Sequence, residues 1–205
     1  MDSIIFDVDG TLWDSTEICA NAWTRIIQQE TDLPLIIDAP TLKGLFGRLL
    51  PDIAAVLFPE YSKEEQLRLI DLCCQEEHRA LLETCAPLYP ELESTLKELQ
   101  KKYRLFIVSN CQAGYIEVFL KASGLSSYFE SHLCPGDTGR AKADNIQQII
   151  QTYHLSSPVY VGDTLGDFHA TKTAGIPFVY ASYGFGEVPS PDYTIECPSD
   201  LLKIF

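Results

Sequence analysis

Two acidic residues interrupt an apolar run near the start of the chain. The stretch IIFDVDGTLWDS, residues 4–15, is apolar up to Phe6, breaks at Asp7 and carries a second acid at Asp9. A carboxylate is unfavourable inside a protein unless it is paired or bound to a metal. Residues two apart on an extended segment point to the same side, so we predict that both acids act on one ligand. The alternative is a plain turn at Asp9-Gly10, which leaves the acid at the end of the strand unexplained.

Polar residues also follow two later apolar runs. Ser109 and Asn110 come after one run, Asp163 and Asp167 come after another, and Lys142 opens the helical segment before the second of these runs. Ligands bind at the carboxyl ends of strands in open parallel sheets, so we expect these residues to meet the two acids at one edge. Taken singly, each has an ordinary alternative, which is a helix cap for the polar residues and a solvated surface position for Lys142.

The combined set of side chains predicts a metal ion beside a phosphate. Four carboxylates that converge cannot all ionise without a compensating charge. Mg²⁺ is a hard cation that typically uses one or two carboxylates together with phosphate oxygens, and the point charge of Lys142 suits a phosphate. One carboxylate then remains as a nucleophile or base.

The elements that must position these residues belong to an α/β fold. Four short apolar runs read as buried strands, and helix-like segments alternate with most of them, which is the pattern of a parallel sheet covered on both faces. The predicted strands are Ile4–Val8, Leu105–Val108, Val159–Val161 and Phe178–Tyr180.

A helical insert breaks this alternation directly after the first strand. No strand is predicted between Thr11 and about Pro87, a stretch too long for an ordinary loop. We predict a small helical cap domain over residues 15–85 and a core formed by residues 1–14 and 86–205, with hinges near residues 12–15 and 85–89. The predicted helices are Thr16–Gln29, Ala39–Phe46, Pro51–Leu57 and Ser62–Glu83, with capping boxes at Ser62/Glu65 and Asp14/Glu17.

Composition limits the classes of partner and the compartment. The chain has 205 residues, 46% of them hydrophobic, and a formal net charge of -14, which disfavours binding to a nucleic-acid polymer. Seven cysteines occur without a CxxC pair, so reduced thiols are expected. The start of the chain does not resemble a secretory signal, and we find no apolar run long enough to span a bilayer. These features predict a cytoplasmic protein without a membrane partner, and they carry no signal for an oligomeric state.

Four motifs in order give the chain a family resemblance. They are FDVDGT at residues 6–11, SN at 109–110, the lysine of GRAKADNI at 142, and GDTLGD at 162–167. In order and spacing they resemble the haloacid dehalogenase superfamily of phosphohydrolases, and the helical insert lies where that family carries its cap. YPELESTLKEL followed by IVSN is similar to the phosphoglycolate phosphatase-like group. The resemblance therefore implies a Rossmann-like core with a parallel sheet and an inserted all-helical cap.

The resemblance also implies a mechanism. Asp7 attacks phosphorus and forms an aspartyl-phosphate, Asp9 protonates the leaving alcohol and then deprotonates water, and Thr11 orients Asp9. Phosphoryl oxygens are bound by Thr11, Ser109, Asn110 and Lys142. Mg²⁺ is held by the side chain of Asp7, the backbone carbonyl of Asp9, and Asp163, with Asp167 assisting directly or through water.

Other functions and the substrate remain open at this stage. A phosphomutase, a phosphonate hydrolase or a non-catalytic regulatory binding protein would use the same scaffold. Small substrates such as phosphoglycolate, sugar phosphates, nucleotides and pyrophosphate are all compatible with the motifs. Lys43 and Arg48 in the cap are candidates for contact with an anionic part of the substrate, although a solvated helix face explains them equally well. Trp13 is expected to pack at the hinge.

Overall fold

A six-stranded sheet forms the centre of the computed structural model, which describes residues 1–205. All five pairings between neighbouring strands are parallel, and the strand order is β3-β2-β1-β4-β5-β6. The strands are β1 Ser3–Phe6, β2 Arg104–Val108, β3 Ser131–Leu133, β4 Pro158–Gly162, β5 Phe178–Ala181 and β6 Tyr193–Ile195. The first strand is central, because Phe6 lies opposite Ile107 on one side and Val161 on the other.

The chain also contains ten α-helices. They are α1 Thr16–Glu30, α2 Ala39–Lys43, α3 Leu50–Leu57, α4 Lys63–Glu83, α5 Leu92–Leu99, α6 Tyr115–Ser123, α7 Pro135–Thr138, α8 Lys142–Tyr153, α9 Leu165–Ala174 and α10 Leu201–Ile204. None of them combines the length and the apolarity that a bilayer-crossing helix requires.

The sheet is buried on both faces, as the near-continuous apolar strands predict. Alternate residues of β1 belong to different clusters: Ile4 and Phe6 pack into the larger core, whereas Ile5 packs with Phe106 and Tyr160 on the opposite face. The second face is covered by apolar residues of α8 and α9. The predicted parallel α/β fold is confirmed.

Helices α1 to α4 form the inserted cap between β1 and β2. Trp23 of α1 packs edge-on against Phe46, and Cys73 and Cys74 bury their thiols on α4. The fold therefore includes the inserted helical cap that the sequence predicts. The cap shares one hydrophobic cluster with the half of the chain that contains the sheet, so it lies packed against that half in this structure.

The two segments that connect the cap to the core are paired with each other. Asp14 donates its backbone N–H to the Pro87 carbonyl at 2.9 Å, and Tyr89 donates to the Leu12 carbonyl at 3.2 Å. Trp13 and Leu88 form the antiparallel bridge between these bonds. We propose the cap boundary at residues 15–85, directly beyond this paired hinge.

Several predicted strand and helix limits differ from the structure. Strand β1 ends at Phe6 instead of Val8, because the Val8 carbonyl accepts from Thr11 and Leu12 and turns the chain. Helix α2 ends at Lys43, well before the predicted end at residue 46. Strands β3 and β6 were not predicted, since each has three residues and lies at a sheet edge without a buried apolar run.

The two predicted capping boxes also need correction. Ser62 accepts from the Glu65 N–H at 3.3 Å, but the Glu65 carboxylate pairs with Arg68 instead of returning to the cap. At α1 the box is wrong: Asp14 accepts from the Thr16 N–H at 3.1 Å, and the N-cap residue, Ser15, makes no capping bond with its side chain.

Candidate active site

The predicted residues meet at the carboxyl edge of the sheet. Asp7 directly follows β1, and its N–H continues the ladder to the Val161 carbonyl at 2.9 Å. Ser109 follows β2 and Asp163 follows β4, so the three strand ends that lie side by side supply the site. This is the position that open parallel sheets use for ligands.

A buried lysine joins two of the carboxylates. Lys142 Nζ donates to Asp7 Oδ1 at 2.9 Å and to Asp167 Oδ1 at 2.5 Å, and the exposed fractions of the three side chains are 3%, 4% and 1%. Burial lowers the pKa of the Lys142 ammonium, but the two carboxylates outweigh it and hold the pKa above its ordinary value. The ammonium is therefore a fixed positive charge within the site.

Asp167 is held by the start of helix α9. Its Oδ2 accepts from the Thr164 N–H at 3.0 Å and from the Thr164 hydroxyl at 2.6 Å, while the hydroxyl accepts from the Asp167 N–H. This is a reciprocal capping box in which Thr164, and not Asp163, is the cap. Asp163 therefore has no capping role, and the start of the helix orients Asp167 toward Lys142.

Three buried carboxylates form a candidate metal site. Oxygens of Asp7, Asp163 and Asp167 lie within 4.8 Å of one another. Burial, the largest cause, and the neighbouring Asp167 raise the pKa of Asp7 to about 6 in spite of Lys142, and burial with the same neighbour raises the pKa of Asp163. A Cβ at Gly10 would overlap the Asp163 carboxylate. The excess of negative charge and the oxygen donors fit a divalent hard cation.

The second acid of the first motif is held by three donors on one oxygen. Asp9 Oδ1 accepts from Trp13 Nε1 at 3.0 Å, from the Tyr115 hydroxyl at 2.8 Å and from the Ser15 hydroxyl. Burial outweighs these donors and raises the pKa of Asp9 to about 7. Its Oδ2 has no side-chain donor among these contacts, so this oxygen is available to exchange a proton near neutral pH.

Thr11 does not orient Asp9, contrary to the expectation from the family. Its hydroxyl lies 3.5 Å from Asp163 Oδ1, and its carbonyl accepts from Tyr183. The orienting residues are those that donate to Asp9. Trp13 and Ser15 lie within the opening motif and could have been considered, whereas Tyr115 comes from α6 and no local signal marks it.

The cap closes the site from above. A cavity of about 30 Å³ is bordered by Asp7, Asp9 and Ser109 below, and by cap residues that include Arg48 and Glu77 above. The Asn110 side chain ties the two halves, because its Nδ2 donates to the Gly47 carbonyl at 2.9 Å. Asn110 Oδ1 is buried without a partner.

The structure separates the two cap cations that the sequence singled out. Arg48 borders the cavity, as a substrate contact requires. Lys43 does not border it and instead pairs with Asp14 at 2.7 Å, with its ammonium 5.2 Å from the centre of the Phe185 ring. This ion pair lies beside the hinge, so it accounts for Lys43 without a substrate.

The parallel sheet, the inserted helical cap and the acid–lysine cluster define a Rossmann-like phosphohydrolase with a cap. The sequence profile described as haloacid dehalogenase-like hydrolase matches residues 4–181. The chain belongs to this family, and the predicted membership is confirmed.

Known relatives agree in length and fold. The chain is 29% identical to a phosphoglycolate phosphatase of Aquifex aeolicus, over 98% of this chain and 95% of that protein. It is 27% identical to the pyrophosphatase PpaX of Bacillus velezensis, over 98% and 95%. A solved haloacid dehalogenase-like hydrolase from Streptococcus pneumoniae superposes with a TM-score of 0.86 at 27% identity, over 100% and 98% of the two chains. The chain is a phosphatase-type hydrolase, as predicted.

Proposed function

We propose that the protein is a Mg²⁺-dependent phosphomonoesterase that hydrolyses a small phosphorylated metabolite through an aspartyl-phosphate at Asp7. The observation that carries this proposal is the placement of Lys142 between Asp7 and Asp167, beside the third carboxylate of Asp163. Relatives named phosphoglycolate phosphatase and pyrophosphatase support a small phosphorylated substrate.

The proposed metal ligands are the carboxylates of the buried cluster. Asp7 and Asp163 would hold Mg²⁺ with the backbone carbonyl of Asp9, and Asp167 would assist directly or through water. When bound, the ion neutralises charge on the phosphate oxygens. The fit rests on the surplus of carboxylates over the single ammonium at this edge.

In the first half-reaction, a carboxylate oxygen of Asp7 attacks phosphorus. A bond from this oxygen to phosphorus forms, the bond from phosphorus to the ester oxygen breaks, and its electron pair leaves with the ester oxygen. Asp9 gives its proton to that oxygen, so an alcohol departs. The raised pKa of Asp9, about 7 through burial, supports this role because the group holds its proton near neutrality.

In the second half-reaction, Asp9 removes a proton from water as the water oxygen attacks phosphorus. The bond between phosphorus and Asp7 breaks and returns the carboxylate, and phosphate is released. Ser109, Lys142 and the backbone N–H of Asn110 would bind the phosphoryl oxygens and stabilise their charge. The Asn110 side chain is engaged with the cap, so its proposed contact uses the main chain.

The direct test is hydrolysis of p-nitrophenyl phosphate with and without Mg²⁺. We expect wild-type turnover to require Mg²⁺ and Asp7→Asn to lose at least about 10³-fold, because the nucleophile is removed. Asp144→Asn removes an exposed carboxylate of α8 and is the matched control. Equal turnover by wild type and Asp7→Asn would contradict the proposal. A sugar phosphate that is isomerised without release of phosphate would indicate a mutase.

We also propose a cytoplasmic location without a nucleic-acid polymer as partner. All seven cysteines are free, and Cys19, Cys73, Cys74 and Cys134 are buried as thiols, which suits a reducing compartment. The formal net charge of -14 opposes binding to a phosphate backbone.

A further inference from the structure

One buried acid of the cap has no part in the proposed chemistry. Glu77 lies on α4, is 3% exposed, and borders the same cavity as Asp7 and Asp9. Neighbouring acids of the helix behave differently, because Glu76 pairs with Arg25 and Arg79 at the surface. Buried acids are usually paired with a cation, so Glu77 is an exception within its own helix.

The partners of Glu77 are neutral donors. Trp23 Nε1 donates to its Oε2, and Gln112 Nε2 donates to its Oε1. Each carboxyl oxygen therefore accepts one N–H, and the Cys19 thiol is a third neutral donor, so that at least one lone pair of the carboxyl stays free. No lysine or arginine lies within salt-bridge distance of Glu77, and burial raises the pKa of its carboxyl to about 8. A ligand that brings hydrogen-bond donors into the cavity would satisfy the remaining lone pairs.

Glu77 lies where it can contact the leaving group of the substrate. The phosphoryl group must lie beside Asp7 and Lys142 at the floor of the cavity, and the cap forms the opposite wall. Asp7, Asp9 and Glu77 border the same small cavity, so a leaving group that extends from the phosphoryl group toward the cap meets Glu77. A larger cavity of about 380 Å³ adjoins it, with Asn110 and Gln112 bordering both.

We propose that Glu77 is a specificity-determining residue that selects a leaving group carrying hydroxyl or ammonium donors and disfavours one carrying a carboxylate. This inference rests on the proposed phosphomonoesterase function and adds the chemistry of the leaving group. A donor satisfies the free lone pairs of Glu77, whereas a second carboxylate in the same enclosed space is repelled once both are ionised and otherwise forces one of them to hold a proton. The proposed preference therefore disfavours phosphoglycolate, the substrate in the name of the Aquifex aeolicus relative.

Arg48 borders the same cavity and carries a charge opposite to that of an ionised Glu77. It is a cation that would attract a carboxylate, but it is exposed to solvent, whereas Glu77 is buried. Water and salt screen an exposed charge far more than a buried one, so we expect the preference set by Glu77 to prevail.

The test compares three phosphate esters whose two-carbon leaving groups differ only at the end. They are 2-hydroxyethyl phosphate, O-phosphoethanolamine and 2-phosphoglycolate, which end in a hydroxyl, an ammonium and a carboxylate. With Mg²⁺ present and at pH 9, above the raised pKa of Glu77 of about 8 so that its carboxylate is ionised, we expect kcat/KM of the wild type for the better of the first two to exceed that for 2-phosphoglycolate by about tenfold or more. Glu77→Gln should reduce this ratio by about tenfold, because the charge is removed while the size is kept.

A matched variant and a reference substrate separate the outcomes. Glu76→Gln changes the charge of the adjacent residue at the surface and should leave the ratio as in the wild type. If the wild type does not hydrolyse p-nitrophenyl phosphate, the proposed function and this inference are both overturned. Wild-type hydrolysis of p-nitrophenyl phosphate with a preference for 2-phosphoglycolate would overturn only the inference.

A purely structural role for Glu77 gives a different pattern. If Glu77 merely joined Trp23 to Gln112, Glu77→Gln would lower kcat/KM for all three esters by the same factor and keep their ratio. That result would overturn the inference. Because Glu77→Gln could weaken the cap, Glu77→Asp serves as a second variant that keeps the charge, and it should keep the order of preference.

Discussion

The cavity has a floor formed by the core and a roof formed by the cap, and the two differ in the partners that they give to buried carboxylates. At the floor, Lys142 lies between Asp7 and Asp167, and its ammonium offsets part of their charge. At the roof, Glu77 accepts from neutral donors, which are the N–H groups of Trp23 and Gln112 and the thiol of Cys19. In the proposed function, the floor binds the charged phosphoryl group. The roof holds a carboxyl with a free lone pair, which can accept a hydrogen bond from a substrate.

The largest effect on the difference between floor and roof is expected when the positive charge is removed from the floor. We expect Lys142→Met to lower kcat for p-nitrophenyl phosphate by about 10²–10³-fold, since the phosphoryl oxygens lose a preorganised charge. Without metal, the variant should also unfold more easily by about 3–5 kcal/mol, because Asp7 and Asp167 remain buried without their cation. Steady-state kinetics and urea unfolding in EDTA measure the two effects.

The control for this variant is a lysine with an exposed partner. Lys172 pairs with Asp192 at 2.6 Å on the surface, so Lys172→Met should change the unfolding free energy by less than about 1 kcal/mol. A similar loss for both lysines would show that the buried position of Lys142 is unimportant.

The roof is tested by the pH dependence of stability. Glu77 has a folded pKa of about 8 because of burial, against an ordinary value of 4.5. Between these values the folded state retains a proton that the unfolded state has lost, so stability falls as pH rises through this window. Glu77→Gln removes the effect, and the difference in unfolding free energy between wild type and variant should shift by about 3–4 kcal/mol in favour of the variant from pH 5 to pH 8.

This difference is measured by urea unfolding in EDTA at several pH values. Asp7 and Asp9 also titrate in this window through their raised pKa values, but both proteins contain them, so their contributions largely cancel. A difference that stays constant with pH would mean that Glu77 titrates normally and that the roof does not differ from the surface.

The smallest effect concerns the residue between floor and roof. The Tyr115 hydroxyl donates to Asp9 at 2.8 Å and favours its ionised form. Tyr115→Phe should therefore raise the pKa of Asp9 and move the alkaline limb of kcat/KM to higher pH, because the leaving group needs the protonated acid. We expect a displacement of about half a pH unit with a few-fold change in rate.

A surface tyrosine provides the control for this pH profile. Tyr128 donates to Glu93 at 3.1 Å far from the cavity, so Tyr128→Phe should leave the profile in place. An alkaline limb that moves to lower pH in Tyr115→Phe would contradict the proposed direction of the hydrogen bond.

The contrast between floor and roof also describes what the sequence could predict. Asp7, Ser109 and Asp163 were predictable because each follows a buried strand, and parallel strands end at one edge. Lys142 was recognisable only through its place in the family motif. Residues of the floor that follow strands could therefore be predicted from local pattern and sheet topology, whereas its lysine required the family motif.

The roof could not be predicted in the same way. Glu77 is one of several acids in α4, and only the packing of that helix against α1 and the core makes it differ from Glu76. Tyr115 is 106 residues from Asp9 in the chain, and its role depends on how α6 packs. Thr11 was assigned to Asp9 by analogy, but its hydroxyl lies near Asp163.

The paired hinge has a consequence for how such a protein can diversify. Because Leu12 and Asp14 bond to Tyr89 and Pro87, the chain leaves the catalytic half and returns to it at one place. A different insert with neighbouring ends could be grafted there while the pairing of β1 with β2 stays intact. The hinge thus makes the cap an exchangeable module: recombination at this junction would replace the roof and its substrate preference without redesign of the catalytic floor.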